Sequence, residues 1–107
     1  MPYSLDFESE AWQDLKALRK GEQVKILKAI DVHLTHEPTR QSKSRIKRLR
    51  PGSQPPYRLR VDEFRIYYDV QPEDQIVIIY SIVHKERSLD WLSAFAQRDV
   101  GKGDPPK

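Results

Sequence analysis

Between Tyr57 and Lys85 the chain alternates apolar and charged side chains in a way that only pleated strands can use. Tyr57, Leu59 and Val61 alternate with Arg58 and Arg60, and Phe64, Ile66, Tyr68 and Val70 alternate with Arg65, Tyr67 and Asp69. Successive side chains of a strand point to opposite faces, so each set collects on its own face. A break at Asp62-Glu63 and a turn at Gln71-Pro-Glu-Asp74 separate these two runs from each other and from the apolar run Ile76–Val83. The pattern predicts a three-strand meander. A sheet with one packed face turns its apolar set inward, and Phe64, Tyr68 and Tyr80 are then expected in the core. Arg58, Arg60 and Arg65 project together from the other face, where like charges repel unless an anion joins them. Tyr67 shares that face and is the stacking candidate there. Asp69 lies on it too, and is expected to pair with Arg65 or a neighbouring arginine.

Charge is segregated along the chain. From Arg40 to Arg60 there are eight basic residues and no acidic one, in a chain whose net charge is +3, so the remainder is net negative. A basic patch that leads directly into an arginine-bearing strand points to nucleic acid or an acidic partner. Lys43, Arg45, Lys47, Arg48 and Arg50 are the nucleic-acid-binding candidates of this segment, as phosphate contacts without sequence readout. With no cysteine among 107 residues, neither a disulfide framework nor a thiolate metal site can form. No apolar run approaches the ~18 residues that span a bilayer, so no membrane partner is expected. The N-terminus lacks the basic and apolar regions of a signal peptide, and cytoplasmic residence is the default expectation.

A chain of this length supports one core. Tyr3, Leu5 and Phe7 read as a short half-buried strand. Ser9 is placed to cap a first helix over 9–20 with the apolar stripe Ala11, Trp12, Leu15 and Leu18, and Gly21 to end it. Val24, Leu27, Ile30 and Leu34, widened by Ile26, Ala29 and Val32, continue as a second helix until Pro38. Residues 39–56 read as a long basic loop with Ile46 and Leu49 as its apolar anchors. Ser88 opens a short last helix carrying Leu89, Trp91, Leu92, Phe95 and Ala96, and 100–107 is expected to be a flexible tail. His33 and His36 are three apart, but nothing acidic or sulfur-bearing clearly completes a metal site, and no metal or other cofactor is expected. The architecture expected is α+β: an antiparallel-rich twisted sheet, made of the N-terminal strand and the meander, packed on a helix hairpin. The domain is expected to span 1–99.

This order of elements resembles the RelE/ParE superfamily of bacterial toxins over roughly residues 1–92. Tyr57-Arg-Leu-Arg-Val61 and Phe64-Arg-Ile-Tyr-Tyr68 are similar to the family's meander signature. Met1-x-Tyr-x-Leu-Asp-Phe7 is similar to its N-terminus, and Lys85-Glu-Arg-Ser88 falls where it carries a basic segment. The resemblance implies a RelE-like fold and a toxin of a type II toxin-antitoxin system, held inactive by a cognate antitoxin. RelE-like members cut messenger RNA in the ribosomal A site, which makes the ribosome and its RNA partners. In that reaction the ribose 2′-hydroxyl attacks the adjacent phosphate and a cyclic phosphate is left. Carried over by position, Arg58, Arg60, Arg65 and Lys85 or Arg87 match the family's basic catalytic residues.

Two departures bear on the chemistry. The family carries lysines where Arg58 and Arg60 stand, and a tyrosine near Trp91, which can stack on a base but cannot exchange a hydroxyl proton. Arginine stays protonated, with a pKa above ~12, and serves as a clamp rather than a base. His84, at the end of the third meander strand, is of the residue type suited to proton transfer at neutral pH and is the candidate for that role. The reading is a ribosome-dependent endoribonuclease, an mRNA interferase. The alternatives are a ParE-like gyrase inhibitor without nuclease activity and an impaired toxin that binds its antitoxin alone.

Overall fold

The computed structural model describes residues 2–50 and 54–103 of the chain. Strand β1 (Ser4–Phe7) leads into helices α1 (Ser9–Lys16) and α2 (Lys20–Leu34). Strands β2 (Ile46–Arg48), β3 (Tyr57–Val61), β4 (Phe64–Gln71) and β5 (Ile76–His84) follow. A 3-10 turn (Lys85–Arg87) then joins β5 to helix α3 (Ser88–Gly103). The strands form one five-stranded sheet in the order β1-β5-β4-β3-β2. β1 runs parallel to β5, and every other pairing is antiparallel.

The meander stands where the alternation put it, with Tyr57 opposite Tyr68, Leu59 opposite Ile66 and Val61 opposite Phe64. Asp62 takes a positive φ of 53° in the tight turn between β3 and β4, a conformation Asp tolerates better than most residues. The register of β4 against β5 shifts between Tyr67 and Tyr68, which face Ser81 and Ile79 and leave Tyr80 as the extra residue. That bulge reverses the facing of β5 midway: Val77 and Ile79 point into the core before it, and Ile82 does so after it.

The core lies between the sheet and the helix hairpin. Ala11 and Leu15 of α1 and Ile26, Ile30 and Leu34 of α2 join Leu59, Ile66, Tyr68, Val77 and Ile79 in one buried cluster. Each fully buried aliphatic side chain contributes about 1.5–3 kcal/mol. The buried stripe of α2 is narrower than its sequence suggests, since Val24, Leu27 and Val32 are exposed. Trp12 is also half-exposed, stacked on Phe7 at 5.3 Å.

Four boundaries differ from expectation. Ser9 is the first residue of α1, and the N-cap is Glu8. The first helix ends at Lys16, and α2 begins at Lys20, because the Arg19 N–H donates to Glu22 Oε1 at 3.3 Å and Gln23 Nε2 holds Leu18 O at 2.8 Å. Gly21 therefore sits in the first turn of α2 instead of ending α1. The basic segment is not all loop: β2 pairs with β3 and buries Ile46. Its outer edge is closed by its own chain, with Ser42 Oγ accepting the Ile46 N–H at 3.3 Å and Gln41 Oε1 accepting the Arg48 N–H at 3.2 Å. Helix α3 is 16 residues long and continues through Gly103. It runs into the segment expected to be a flexible tail, of which 104–107 lie outside the described residues.

Candidate nucleic-acid interface

The face of the sheet turned away from the hairpin carries two cross-strand rows. In one, Lys47 of β2 faces Arg58 of β3, which faces Tyr67 of β4, which faces Ser81 of β5. In the next, Arg60 faces Arg65 and Arg65 faces Val83. Arg58, Arg60 and Arg65 are thus brought together, with Lys47 beside them. The guanidinium of Arg65 titrates below its ordinary value because it is partly buried and is repelled by Arg58 and Arg60. It donates to two backbone carbonyls, Asp62 O at 3.1 Å and Phe64 O at 3.0 Å. Among the described residues no carboxylate forms an ion pair with Arg58, Arg60 or Arg65. Asp69 does not pair with Arg65: its Oδ1 accepts the backbone N–H of Val70 at 2.7 Å. Among the described residues the cluster is a cationic patch without a paired carboxylate, on paired strands, fitted to grip phosphate oxygens bidentately.

Tyr67 lies on this face as expected but offers no open ring to a base. It is fully buried, and Trp91 of α3 stacks on it with centroids 4.9 Å apart and planes 10° from parallel. Trp91 is fixed in turn by a 2.7 Å bond from Nε1 to Glu10 Oε2 and by Phe95, stacked at 4.8 Å. The aromatic partners of Tyr67 and Trp91 are therefore protein rings. The alternation of β4 could place Tyr67 on the arginine face but could not reveal that α3 covers it.

His84 has the opposite facing to Arg65, although it shares a cleft with Arg60. It pairs with Phe64 across the β4–β5 ladder, which puts it on the hairpin side of the pleat, whereas Arg65 pairs with Val83. Its Nε2 is 3.0 Å from Glu63 Oε1 and its Nδ1 accepts the Glu86 N–H at 3.2 Å. With Nδ1 accepting, Nε2 carries the proton and donates to Glu63, so both ring nitrogens are occupied. His84 instead lines a cleft of about 800 Å³ beside the start of α2, together with Lys25, Arg60, Asp62 and Lys85. Lys85 and Arg87 lie exposed on the 3-10 turn after β5.

The basic segment divides. Lys47 belongs to the arginine face through its pairing with Arg58. Arg48 has the other facing: its guanidinium lies 5.0 Å from the Tyr57 ring centroid and donates to the Tyr57 hydroxyl at 3.0 Å. Lys43, Arg45 and Arg50 are exposed, and Arg45 lies near His33, whose pKa is lowered by burial and then by that charge. Among the described residues no group of three or more His, Asp or Glu side chains is placed to hold a metal ion. No described helix is long and apolar enough to cross a membrane.

A family model for the ParE toxin of type II toxin-antitoxin systems matches residues 5–89. The protein named "Putative toxin RelE1" of Methanocaldococcus jannaschii is 34% identical over 86 residues, which is 80% of this chain and 93% of that one. Among solved structures, RelE in the archaeal RelE-RelB complex from Pyrococcus horikoshii OT3 superposes with a TM-score of 0.67 at 25% identity, covering 81% of this chain and 99% of that one. The isolated E. coli RelE toxin shares the fold, with a TM-score of 0.60 at 23% identity over 89% of this chain and 97% of its own. Fold and family match together define the toxin component of a type II toxin-antitoxin system. The chain belongs to the RelE/ParE family.

Proposed function

We propose that this toxin cuts messenger RNA on the ribosome, with Arg58, Arg60 and Arg65 as the clamp on the scissile phosphodiester. The observation that carries the reading is the gathering of these three arginines on one face with no carboxylate paired to them among the described residues. Attack by the 2′-hydroxyl on the adjacent phosphorus concentrates charge on the nonbridging oxygens and on the departing 5′-oxygen, and fixed cations stabilise that charge as it develops. Arg65, braced by two carbonyls, needs little reorganisation to do so. Lys47 extends the patch along the strand, and Lys85 and Arg87 are exposed nearby in the chain to meet flanking phosphates. Lys43, Arg45 and Arg50 add contacts to ribosomal RNA.

By analogy with the RelE-RelB complex of Pyrococcus horikoshii OT3, a cognate antitoxin is the partner that holds this toxin inactive. The test is incubation of the purified protein with ribosomes carrying a defined message, beside a gyrase supercoiling assay. Cleavage in the A site without gyrase inhibition supports the reading. Gyrase inhibition with intact message would replace it with the ParE-like one, and silence in both with an impaired toxin.

A further inference from the structure

Three polar atoms around the docked end of α3 are buried with no hydrogen-bond partner among the described residues: Arg58 Nε, Tyr67 Oη and Ser88 Oγ. Folded proteins retain few such atoms, and each one needs a reason. Strand pairing, ring stacking and helix spacing place the residues that carry these three atoms on one face. Arg58 and Tyr67 are direct cross-strand partners, the Trp91 ring lies on Tyr67, and Ser88 precedes Trp91 by three residues on the same side of α3. All three can donate, and Arg58 Nε can do nothing else. The two hydroxyl oxygens could also accept, yet no described group pairs with them or receives the Arg58 Nε proton. Beside Arg60 and Arg65, the acceptor that both hydrogen bonding and charge favour is an anion.

We infer that the Tyr67 hydroxyl is a catalytic hydrogen-bond donor to a nonbridging oxygen of the scissile phosphodiester, with Arg58 Nε and Ser88 Oγ completing the cradle. This rests on the RNA-cutting reading above and names a further residue for it. In this structure the three atoms are shielded from solvent. An arriving phosphate therefore displaces the first turn of α3, held there by the Trp91 stack and by the Trp91–Glu10 bond.

The decisive variant is Tyr67→Phe, which keeps the ring, its stack on Trp91 and the strand. Single-turnover cleavage of a ribosome-bound message is expected to fall about 100-fold, in line with loss of one donor to a developing oxyanion. The melting temperature is expected to hold or rise, because a buried hydroxyl without a partner is removed. Ser88→Ala, at a separate position, is expected to cost about 10-fold in the same assay without loss of stability. Wild-type cleavage by Tyr67→Phe, on a message that Arg58→Ala no longer cuts, would overturn the Tyr67 assignment and leave the nuclease reading standing. Lost cleavage with a lowered melting temperature would overturn it too, making Tyr67 a packing residue. A wild-type protein that cuts no message overturns both.

Discussion

Asp14 on α1 holds the free edge of β5 at Ile82: its Oδ2 accepts the Ile82 N–H at 3.0 Å and the Ser81 hydroxyl at 2.6 Å. β1 covers β5 only from Ile76 to Ile79, and the Glu8 N–H closes that stretch by donating to Ile79 O at 2.9 Å. Past that point the strand would present unpaired backbone, and the helix supplies a carboxylate instead. Asp14→Ala strands the N–H of the nearly solvent-free Ile82, at a cost of about 1–3 kcal/mol, whereas the Ser81 hydroxyl still has Glu10 Oε2 at 3.4 Å. Urea denaturation reads this directly. Asp14→Asn keeps an acceptor and should lose clearly less. A loss under about 0.5 kcal/mol for the alanine variant would mean that water reaches this edge.

Tyr68 predicts an alkaline limit to stability. Its hydroxyl donates to Pro38 O at 2.5 Å and lies in the core, where burial, and then the neighbouring Tyr57, push its pKa far above the ordinary tyrosine range. An unfolded tyrosine ionises near pH ~10. Because the folded pKa is the higher one, the contribution of Tyr68 is complete below that pH and declines as pH rises above it, when the unfolded chain alone releases the proton. Tyr68→Phe should be less stable at pH 7 by about 1 kcal/mol through the lost hydrogen bond. The gap between the two proteins should then narrow above pH 10. A gap that stays constant to pH 11 would contradict this.

The meander was legible because each of its first two strands buries one face and charges the other, so period alone fixed facing and register. β5 was legible as a strand but not in its facing, since Ile76–Val83 is apolar on both parities and hides the bulge at Tyr80. β2 escaped because a three-residue strand with one buried side chain, Ile46, leaves almost no periodic signal among arginines and lysines. Sequence alone put the three arginines on one face. The cover over Tyr67 depends on where α3 docks, a long-range contact between Trp91 and Glu10 that no local pattern encodes.

His84 supplies a discriminating negative. Both its ring nitrogens are engaged, and it sits on the hairpin side of the pleat, opposite in facing to Arg65. His84→Gln should cut ribosome-bound message within about threefold of wild type, with its pH profile between 5.5 and 8 unchanged, since a proton-transferring group would contribute 10²–10⁴-fold. Loss of cleavage with the fold intact would restore His84 as the acid or base.

The two populations of basic residue should separate by their response to salt and to charge-preserving change. Lys43, Arg45 and Arg50 are exposed side chains outside the sheet's paired rows. As phosphate contacts, each removed by substitution with Ala should weaken RNA binding at all sequences and lower the log-log salt slope by about 0.7 on a single strand. Their replacement by the opposite basic residue should change little. Arg65 is braced on two carbonyls and pressed by Arg58 and Arg60, so its planar fork is held in one orientation. Arg65→Lys keeps the charge and loses the bidentate geometry. Cleavage should therefore fall about 10-fold or more while the salt slope of binding stays within about 0.3 of wild type. A lysine that serves as well as the arginine would show that this face contributes charge alone, and would remove the clamp from the mechanism.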